Sequence, residues 1–162
     1  MGQYHYTVNL DKKEYLVPHK LGDGLKLLEQ ANSQAGVMVA LLALLACSNG
    51  RGGGDFADGL AYMPKGKTFE WVTTNAGYAE IAHNFIGRWA GDRIAVIGDY
   101  AEPEDIPNCN AKEIIDRLEK DYTDISDQIL PIVEKACGVK ITGEGWRQKE
   151  AERAMRPDLV LK

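Results

Sequence analysis

The chain has 162 residues, of which 44% are hydrophobic and 27% are charged, and its formal net charge is −5. These values are typical of one folded domain with its own core and exclude global disorder. The charge is uneven, because residues 99–134 contain eleven acidic and three basic side chains while residues 135–162 contain four acidic and seven basic ones. Duplex DNA attracts basic surfaces, so the acidic segment argues against broad duplex binding.

Two strands are predicted at the beginning of the chain. Alternate residues of 4–10 are Tyr, Val or Leu with mostly polar residues between them, which is typical of a strand with one buried face. A turn is expected at 11–13, followed by a second strand over 14–17 that Pro18 ends.

The next two segments are predicted to be helical. "PHKLGDG" (18–24) leads into a short helix with Asp23 near its start, so His19 and Lys20 are candidates for one wall of an anion pocket. The alternative is a plain turn capped by Asp23. The following helix, within 34–48, is apolar on every side, which predicts burial all round. Its 12-residue run "GVMVALLALLAC" is too short to cross a bilayer.

A glycine-rich segment, "RGGGDF", lies within the irregular stretch 49–78. Successive glycine N–H groups can approach an anion closely, and an arginine can form two hydrogen bonds to a phosphate. No Gly-Lys-Ser/Thr ending follows, so the nucleotide-loop signatures fail and a structural excursion is the alternative. The ligand-binding candidates of this loop are Arg51, Gly52, Gly53, Gly54 and Asp55.

The segment "NFIGRWAGDRIAVIGDY" (84–100) is predicted to be a β-hairpin that turns at "AGD". It combines an indole with arginines, carboxylates and a phenol, and proteins often bind a nucleotide base with such a set of side chains. The alternative is that Trp89 is a core residue, which is common for a tryptophan on a strand. The ligand-binding candidates of this segment are Trp89, Arg93, Asp99 and Tyr100.

Two helices are expected after an acidic linker. Asn110 followed by Glu113 resembles a capping box and starts the first helix. The second lies within 123–137, where Pro131 implies a late start or a kink. The fold prediction is therefore α+β (or α/β): one compact domain over 1–148, with a small mainly antiparallel sheet, a buried central helix and two C-terminal helices. A charged tail over 149–162 follows it.

Catalytic and metal-binding signatures are absent from the sequence. The three histidines lack metal-ligand spacing, and no G-x-S-x-G elbow occurs. Three cysteines without a CxxC pair fit reduced thiols in a cytoplasm. The expectation is a cytoplasmic protein without cofactor, metal, membrane contact or catalytic residue, although an enzyme is not excluded.

Several stretches together resemble a family of small uncharacterised proteins of bacteriophages and some bacteria. They are "VNLDKKEYLVPHKLGDGLKLLE", "RGGGDF", "GRWAGDRIAVIGDYAE", "YTDISDQILPIVE" and "GEGWR", which span most of the chain from Val8 to Arg147. The chain departs from the family pattern around 47–51 and after Gln148. The resemblance implies a phage setting in the cytoplasm of a host bacterium and supplies no chemistry, so no catalytic residue is carried over.

Three functions follow as hypotheses. In the first, the protein binds a small nucleotide-type anion and withholds a host immune signal, and a homodimer would help to enclose that ligand. The second is a phosphodiesterase-like hydrolase that uses some of His19, Asp55, Asp92 and Asp99. The third is an inhibitor that binds a host defence protein through the acidic segment, including Glu104, Asp105, Glu113 and Asp116.

Overall fold

Residues from both halves of the chain build one small sheet, and helices cover both of its faces. The computed structural model describes residues 2–33, 36–47, 76–137 and 140–141. This part of the chain contains helices and a mixed sheet in one compact α+β domain, which confirms the predicted fold class. The Arg51–Asp55 loop and the 149–162 tail lie outside the described residues.

The sheet has the strand order β3-β1-β2-β4. β1 pairs antiparallel with β2 and with β3, whereas the short β4 pairs parallel with β2. The strands are β1 (His5–Asn9), β2 (Glu14–Leu16), β3 (Ile94–Gly98) and β4 (Thr123–Asp124).

The helices range in length from single turns of four residues to the twelve residues of the last one. A 3₁₀ turn over Pro18–Leu21 follows β2 and ends at Gly22, whose φ is +84°. The α-helices are α1 (Leu27–Ala31), α2 (Val37–Leu45), α3 (Ala76–Phe85), α4 (Ala111–Asp116), α5 (Leu118–Asp121) and α6 (Ser126–Cys137).

Two apolar cores lie on opposite faces of the sheet. The large core packs Leu16 and Trp89 against α2, α3 and α6. The small core packs Tyr15 and Ile97 against α4 and α5. Because neighbouring residues of a strand point to opposite faces, Tyr15 and Leu16 enter different cores. Residues 101–122 therefore form the outer layer over the small core.

The predicted first hairpin is confirmed, and a buried asparagine explains its turn. Asn9 is fully buried, and its Oδ1 accepts hydrogen bonds from the backbone N–H groups of Asp11 and Lys12 at 3.0 and 2.8 Å. A side-chain acceptor at this position replaces the hydrogen bonds that the chain loses where the strand ends. Tyr6, Val8 and Leu10 all pack in the small core, as their alternation predicts.

The first of the two predicted C-terminal helices is divided into the short helices α4 and α5, and the second is present as α6. Asn110 Oδ1 accepts a hydrogen bond from Glu113 N–H at 3.0 Å and so caps α4. Pro131 lies inside α6, which begins at Ser126, so the expected late start is wrong. A proline has no N–H to donate, but the apolar stripe of α6 packs in the large core and keeps the helix in place.

Two sequence predictions are corrected by the structure. The segment before β3 is not a strand, because Phe85 ends α3 and turns follow it, so β3 pairs with β1 instead of with residues 85–89. The central helix α2 is buried on one side only, since Met38 and Leu42 are 42% and 60% exposed. An apolar run without polar residues does not reveal which side faces the core.

Within the described ranges, no helix combines the length and apolar character that crossing a membrane requires.

Candidate functional site

A buried carboxylate links β2 to the turn that follows α3. Glu14 is 6% exposed, and both of its oxygens accept hydrogen bonds from the Arg88 guanidinium. Its Oε2 also accepts a hydrogen bond from Trp89 Nε1–H at 2.7 Å. The Arg88 guanidinium carbon lies 5.6 Å from the centre of the Phe85 ring. This Glu14–Arg88–Trp89 network joins two segments that are more than seventy residues apart.

Electrostatics favour the ionised form of Glu14. Burial raises the pKa of Glu14, but the hydrogen bonds from Arg88 and Trp89 and the charge of Arg88 outweigh burial and leave the pKa below its ordinary value. Glu14 was not among the candidates from the sequence, where it follows Lys13 and begins a predicted strand; a charged residue within a strand is the available signal for a buried ion pair.

The sequence left two alternatives for Trp89, a base-stacking residue and a core residue, and the structure places it in the core. Its side chain is fully buried in the large core. The indole N–H is used by Glu14, and the covered ring offers no face on which a base can stack in this structure. The structure therefore does not support the stacking role predicted for Trp89.

Lys20 is held by two carboxylates. Its Nζ lies 2.8 Å from Asp124 and 2.7 Å from Asp127, at the junction of β4 and α6. Hydrogen bonds to these two groups raise the pKa of Lys20 above its ordinary value. An anion at Lys20 would have to compete with both carboxylates. His19 precedes it in the same 3₁₀ turn and is partly buried.

Asp23, the other candidate in this segment, caps a different helix from the expected one. Its Oδ2 accepts a hydrogen bond from the backbone N–H of Val37 at 2.7 Å, at the start of α2, while α1 begins only at Leu27. Asp23 is 2% exposed, so this contact is part of the packed interior.

Arg93 and Asp92 lie together at the β1–β2 turn. Arg93 forms an ion pair with Asp11 at 2.7 Å, and Asp92 accepts hydrogen bonds from Lys12 Nζ at 2.6 Å and Asn9 Nδ2 at 2.8 Å. Hydrogen bonds from Lys12 and Asn9 lower the pKa of Asp92. These contacts fix the turn against the start of β3.

Asp99 and Tyr100 lie at the other end of β3. Asp99 Oδ1 accepts a hydrogen bond from Tyr4 N–H at 3.0 Å, and Tyr100 is 58% exposed. A strand of this length separates Arg93 from Asp99 by roughly 20 Å, because each residue advances about 3.3 Å. One small ligand is too short to contact both ends, so the structure does not bring together the four candidates of this segment.

The hydrolase hypothesis meets the same separation. Asp92 and Asp99 lie at opposite ends of β3. His19 lies in the 3₁₀ turn after β2, and β1 separates β2 from β3 in the sheet. Among the residues described, no three His, Cys, Asp or Glu side chains are grouped so that they could hold a metal ion.

An acidic surface covers the small core. Residues 101–122 turn their apolar side chains towards the sheet, so their polar side chains face outward. We call the exposed carboxylates of this layer and of the end of β3 the acidic face. Its residues are Asp99, Glu102, Glu104, Asp105, Glu113, Asp116, Glu119 and Asp121.

The pKa values of three tyrosines in the small core are raised, in part by the negative charge of nearby carboxylates. Burial, followed by the charges of Glu119 and Asp99, raises the pKa of Tyr6. Burial raises the pKa of Tyr15 and Tyr122 as well, and nearby carboxylates add to it in both cases. Carboxylates from separate segments therefore act on the same part of the sheet.

The Lys20 contacts predict a defined pH dependence of stability. Burial raises the pKa of Asp124, but hydrogen bonds from Lys20 and Ser126 outweigh it and hold the pKa below its ordinary value of 3.8. Asp124 therefore stabilises the fold above pH 3.8, and this contribution is lost as the pH falls through the lowered pKa. The raised pKa of Lys20 preserves its contribution up to the ordinary value of 10.5, beyond which it is lost as the pH rises further.

Lys20→Met should reduce the loss of stability between about pH 4 and pH 2 by roughly 1 kcal/mol, because it removes the cation that lowers the Asp124 pKa. Urea unfolding at a series of pH values measures this change. Lys112→Met is the control, since Lys112 and Asp116 form an exposed helix pair with side chains 50% and 54% exposed. Equal acid profiles for Lys20→Met and the unmodified chain would contradict the assignment.

Comparisons of the chain with models of protein families, with curated proteins and with solved structures find no match.

Proposed function

We propose that the protein is a non-enzymatic binding protein that contacts a basic protein surface through the acidic face. The observation that carries this proposal is the excess of unpaired exposed carboxylates over the small core. Such an excess raises the association rate with a cationic partner and opposes association with acidic ones.

The pairing pattern supports this function. Two basic residues of the layer already belong to ion pairs within their own helical segments, Lys112 with Asp116 at 3.1 Å and Arg117 with Asp121 at 2.6 Å. Among the described residues, six exposed carboxylates of the acidic face have no ion pair, namely Asp99, Glu102, Glu104, Asp105, Glu113 and Glu119. Their charge is thus available to a partner.

The layer that carries the acidic face is packed against the sheet. Ala111 and Leu118 are 0% and 4% exposed and fasten α4 and α5 to the sheet. The backbone N–H of Ala111 donates a hydrogen bond to the carbonyl of Pro103 at 3.3 Å, which ties the linker that carries Glu102 and Glu104 to the start of α4. A preorganised charged surface loses little conformational entropy on binding. The acidic face therefore meets the usual requirement for a docking surface better than the residues that were candidates for a ligand pocket.

Other elements of the sequence hypothesis remain predictions. The phage setting would make the partner a host protein, such as a defence protein. A nucleotide-type ligand depends on Arg51–Asp55, which lie outside the described residues. Hydrolysis of such a ligand depends on the same loop through Asp55.

The test compares charge reversals on and off the acidic face. Glu104→Lys, Glu113→Lys and Glu119→Lys should each weaken binding of a captured partner by roughly 3- to 10-fold at low salt, and all three together by at least about 100-fold. Glu80→Lys is the control, because Glu80 is exposed on α3, at the large core on the other face of the sheet. Tagged variants are used to capture proteins from a bacterial lysate, and the purified partner is then titrated at several salt concentrations.

Three results would overturn the proposal. The first is that the triple variant and Glu80→Lys retain the same partner equally. The second is a binding constant that does not change with salt, since exposed charges are screened over about 10 Å at 0.1 M salt. The third is that the unmodified chain captures no basic protein at all.

A further inference from the structure

β3 forms an edge of the sheet and carries backbone groups that have no partner among the described residues. Arg93 C=O accepts a hydrogen bond from Leu10 N–H, and Asp99 N–H donates to Tyr4 C=O, both at 2.9 Å, so the odd-numbered residues of β3 face β1. In an antiparallel pair the alternate residues point away. Ile94 and Val96 therefore direct their N–H and C=O groups outward, and within the described ranges no hydrogen bond reaches these groups.

Among the residues that the structure describes, this edge lacks the usual protection. Natural edge strands are guarded by lysines, prolines, bulges or a covering segment, because an open edge can add another strand. β3 reads "IAVIG" and contains no charge or proline. Val96, at its centre, is 48% exposed. Charges occur only at the two ends of the strand, as Arg93 and Asp99.

We infer that two copies of the protein associate by antiparallel pairing of β3 with β3 across a two-fold axis at Val96. In this register Val96 lies opposite Val96 of the second copy, and Ile94 lies opposite Gly98. These are the residues whose backbone groups point outward, so each pair can exchange two hydrogen bonds. The Gly98 carbonyl already accepts a hydrogen bond from Ala101, but a carbonyl oxygen can accept two.

The charges at the strand ends select this register. It places Arg93 directly opposite Asp99 of the second copy, twice in one dimer, at positions where antiparallel side chains approach most closely. A shift by two residues in either direction would place Arg93 opposite Ile97 or Ala101 instead. An interface between identical surfaces must be complementary to itself, and this register meets that requirement.

Both charged side chains are positioned for the contact. Arg93 is held by Asp11 on one side of its guanidinium, yet its side chain is 64% exposed. Asp99 is exposed and uses Oδ1 for Tyr4 N–H, which leaves Oδ2 for a partner. The inference does not depend on the proposed function, because it concerns the edge of β3 that faces away from β1 and uses only Asp99 of the acidic face.

Sedimentation equilibrium of the full chain tests the interface. The unmodified protein should form a dimer, and Val96→Lys should weaken it by at least about 100-fold, because two ammonium groups would meet at the axis. Val96→Thr keeps the β-branched shape and should change the dissociation constant by less than about 3-fold. A chain that stays monomeric at millimolar concentration, or a Val96→Lys variant that dimerises normally, would overturn the inference.

A double-mutant cycle tests the register. Asp99→Asn preserves the acceptor for Tyr4 N–H, and we expect it and Arg93→Gln each to weaken the dimer by about 2- to 30-fold. The double variant should weaken it no more than either change alone. Asp11→Asn is the control for the loss of the Arg93 contact within the chain and should leave the dimer intact. Additive losses would exclude this register.

Amide hydrogen exchange provides a readout that does not depend on substitution. Dimer formation should slow exchange at Ile94, Val96 and Gly98 as the protein concentration rises. The amides of Ala95 and Ile97 already face β1 and should not respond. Concentration-dependent protection without this alternation would place the interface elsewhere.

Discussion

Replacing Glu14 with alanine should lower the free energy of unfolding by about 3 kcal/mol. The substitution removes the partner of the Arg88 guanidinium and of the Trp89 indole N–H together. Trp89 is fully buried, so its N–H would be left without an acceptor in the interior. Arg88 is 39% exposed and can turn towards water, which keeps the loss below that of a fully buried pair.

Urea unfolding monitored by tryptophan fluorescence and by circular dichroism measures the Glu14 effect. Glu14→Gln should lower the free energy of unfolding by about half as much, because its amide oxygen still accepts the hydrogen bond from the Trp89 indole N–H although the negative charge is lost. Asp11→Ala, which breaks the exposed ion pair with Arg93, should lower the free energy of unfolding much less than Glu14→Ala does. If Glu14→Ala and Asp11→Ala were equally stable, the network would have no special role in the fold.

Local patterns predicted the elements whose causes lie within a few residues. Tyr6, Val8 and Leu10 occupy one face of β1 because strand periodicity alone decides that, and the same core receives them all. Asn110 caps α4 because the acceptor and the donor are three residues apart. These features needed no knowledge of the rest of the chain.

Features that depend on distant partners could not be predicted in this way. Phe85 and Trp89 alternate with Gly87 as in a strand, but Phe85 ends a helix, and Trp89 lies where Glu14 holds it. The pairing of β3 with β1 brings Ile94 beside Asn9, a relation that no spacing along the chain reveals.

The candidate site shows the same limit. Composition located the acidic segment, because charge can be counted, but it did not show that residues 101–122 form a layer over the small core. The position of β3 at the edge of the sheet could not be predicted for a related reason. A strand in the middle of a sheet and a strand at its edge carry similar apolar residues, and only the sheet order distinguishes them.

Gly36→Ala should destabilise the protein by about 3 kcal/mol, because it combines backbone strain with the loss of a buried cap. Gly36 has φ +82° and ψ −140°, a conformation that is essentially reserved for glycine. A Cβ at this position would overlap the carboxylate of Asp23. That carboxylate is 2% exposed and accepts the first N–H of α2, so it cannot move away without leaving a helix end unpaired.

Gly91→Ala separates the two contributions to the Gly36 effect. Gly91 has φ +86°, but a Cβ there would meet no atom within 4 Å, so only backbone strain of about 1 kcal/mol is expected. Gly87→Ala should fall between them or match Gly36→Ala, since its Cβ would lie 2.7 Å from the Ala46 carbonyl oxygen. Thermal unfolding of the three variants ranks them directly. Equal losses at Gly36 and Gly91 would mean that the Asp23 carboxylate yields without cost, and the start of α2 would then be stabilised by packing of Val37 and Ala40 instead of by its cap.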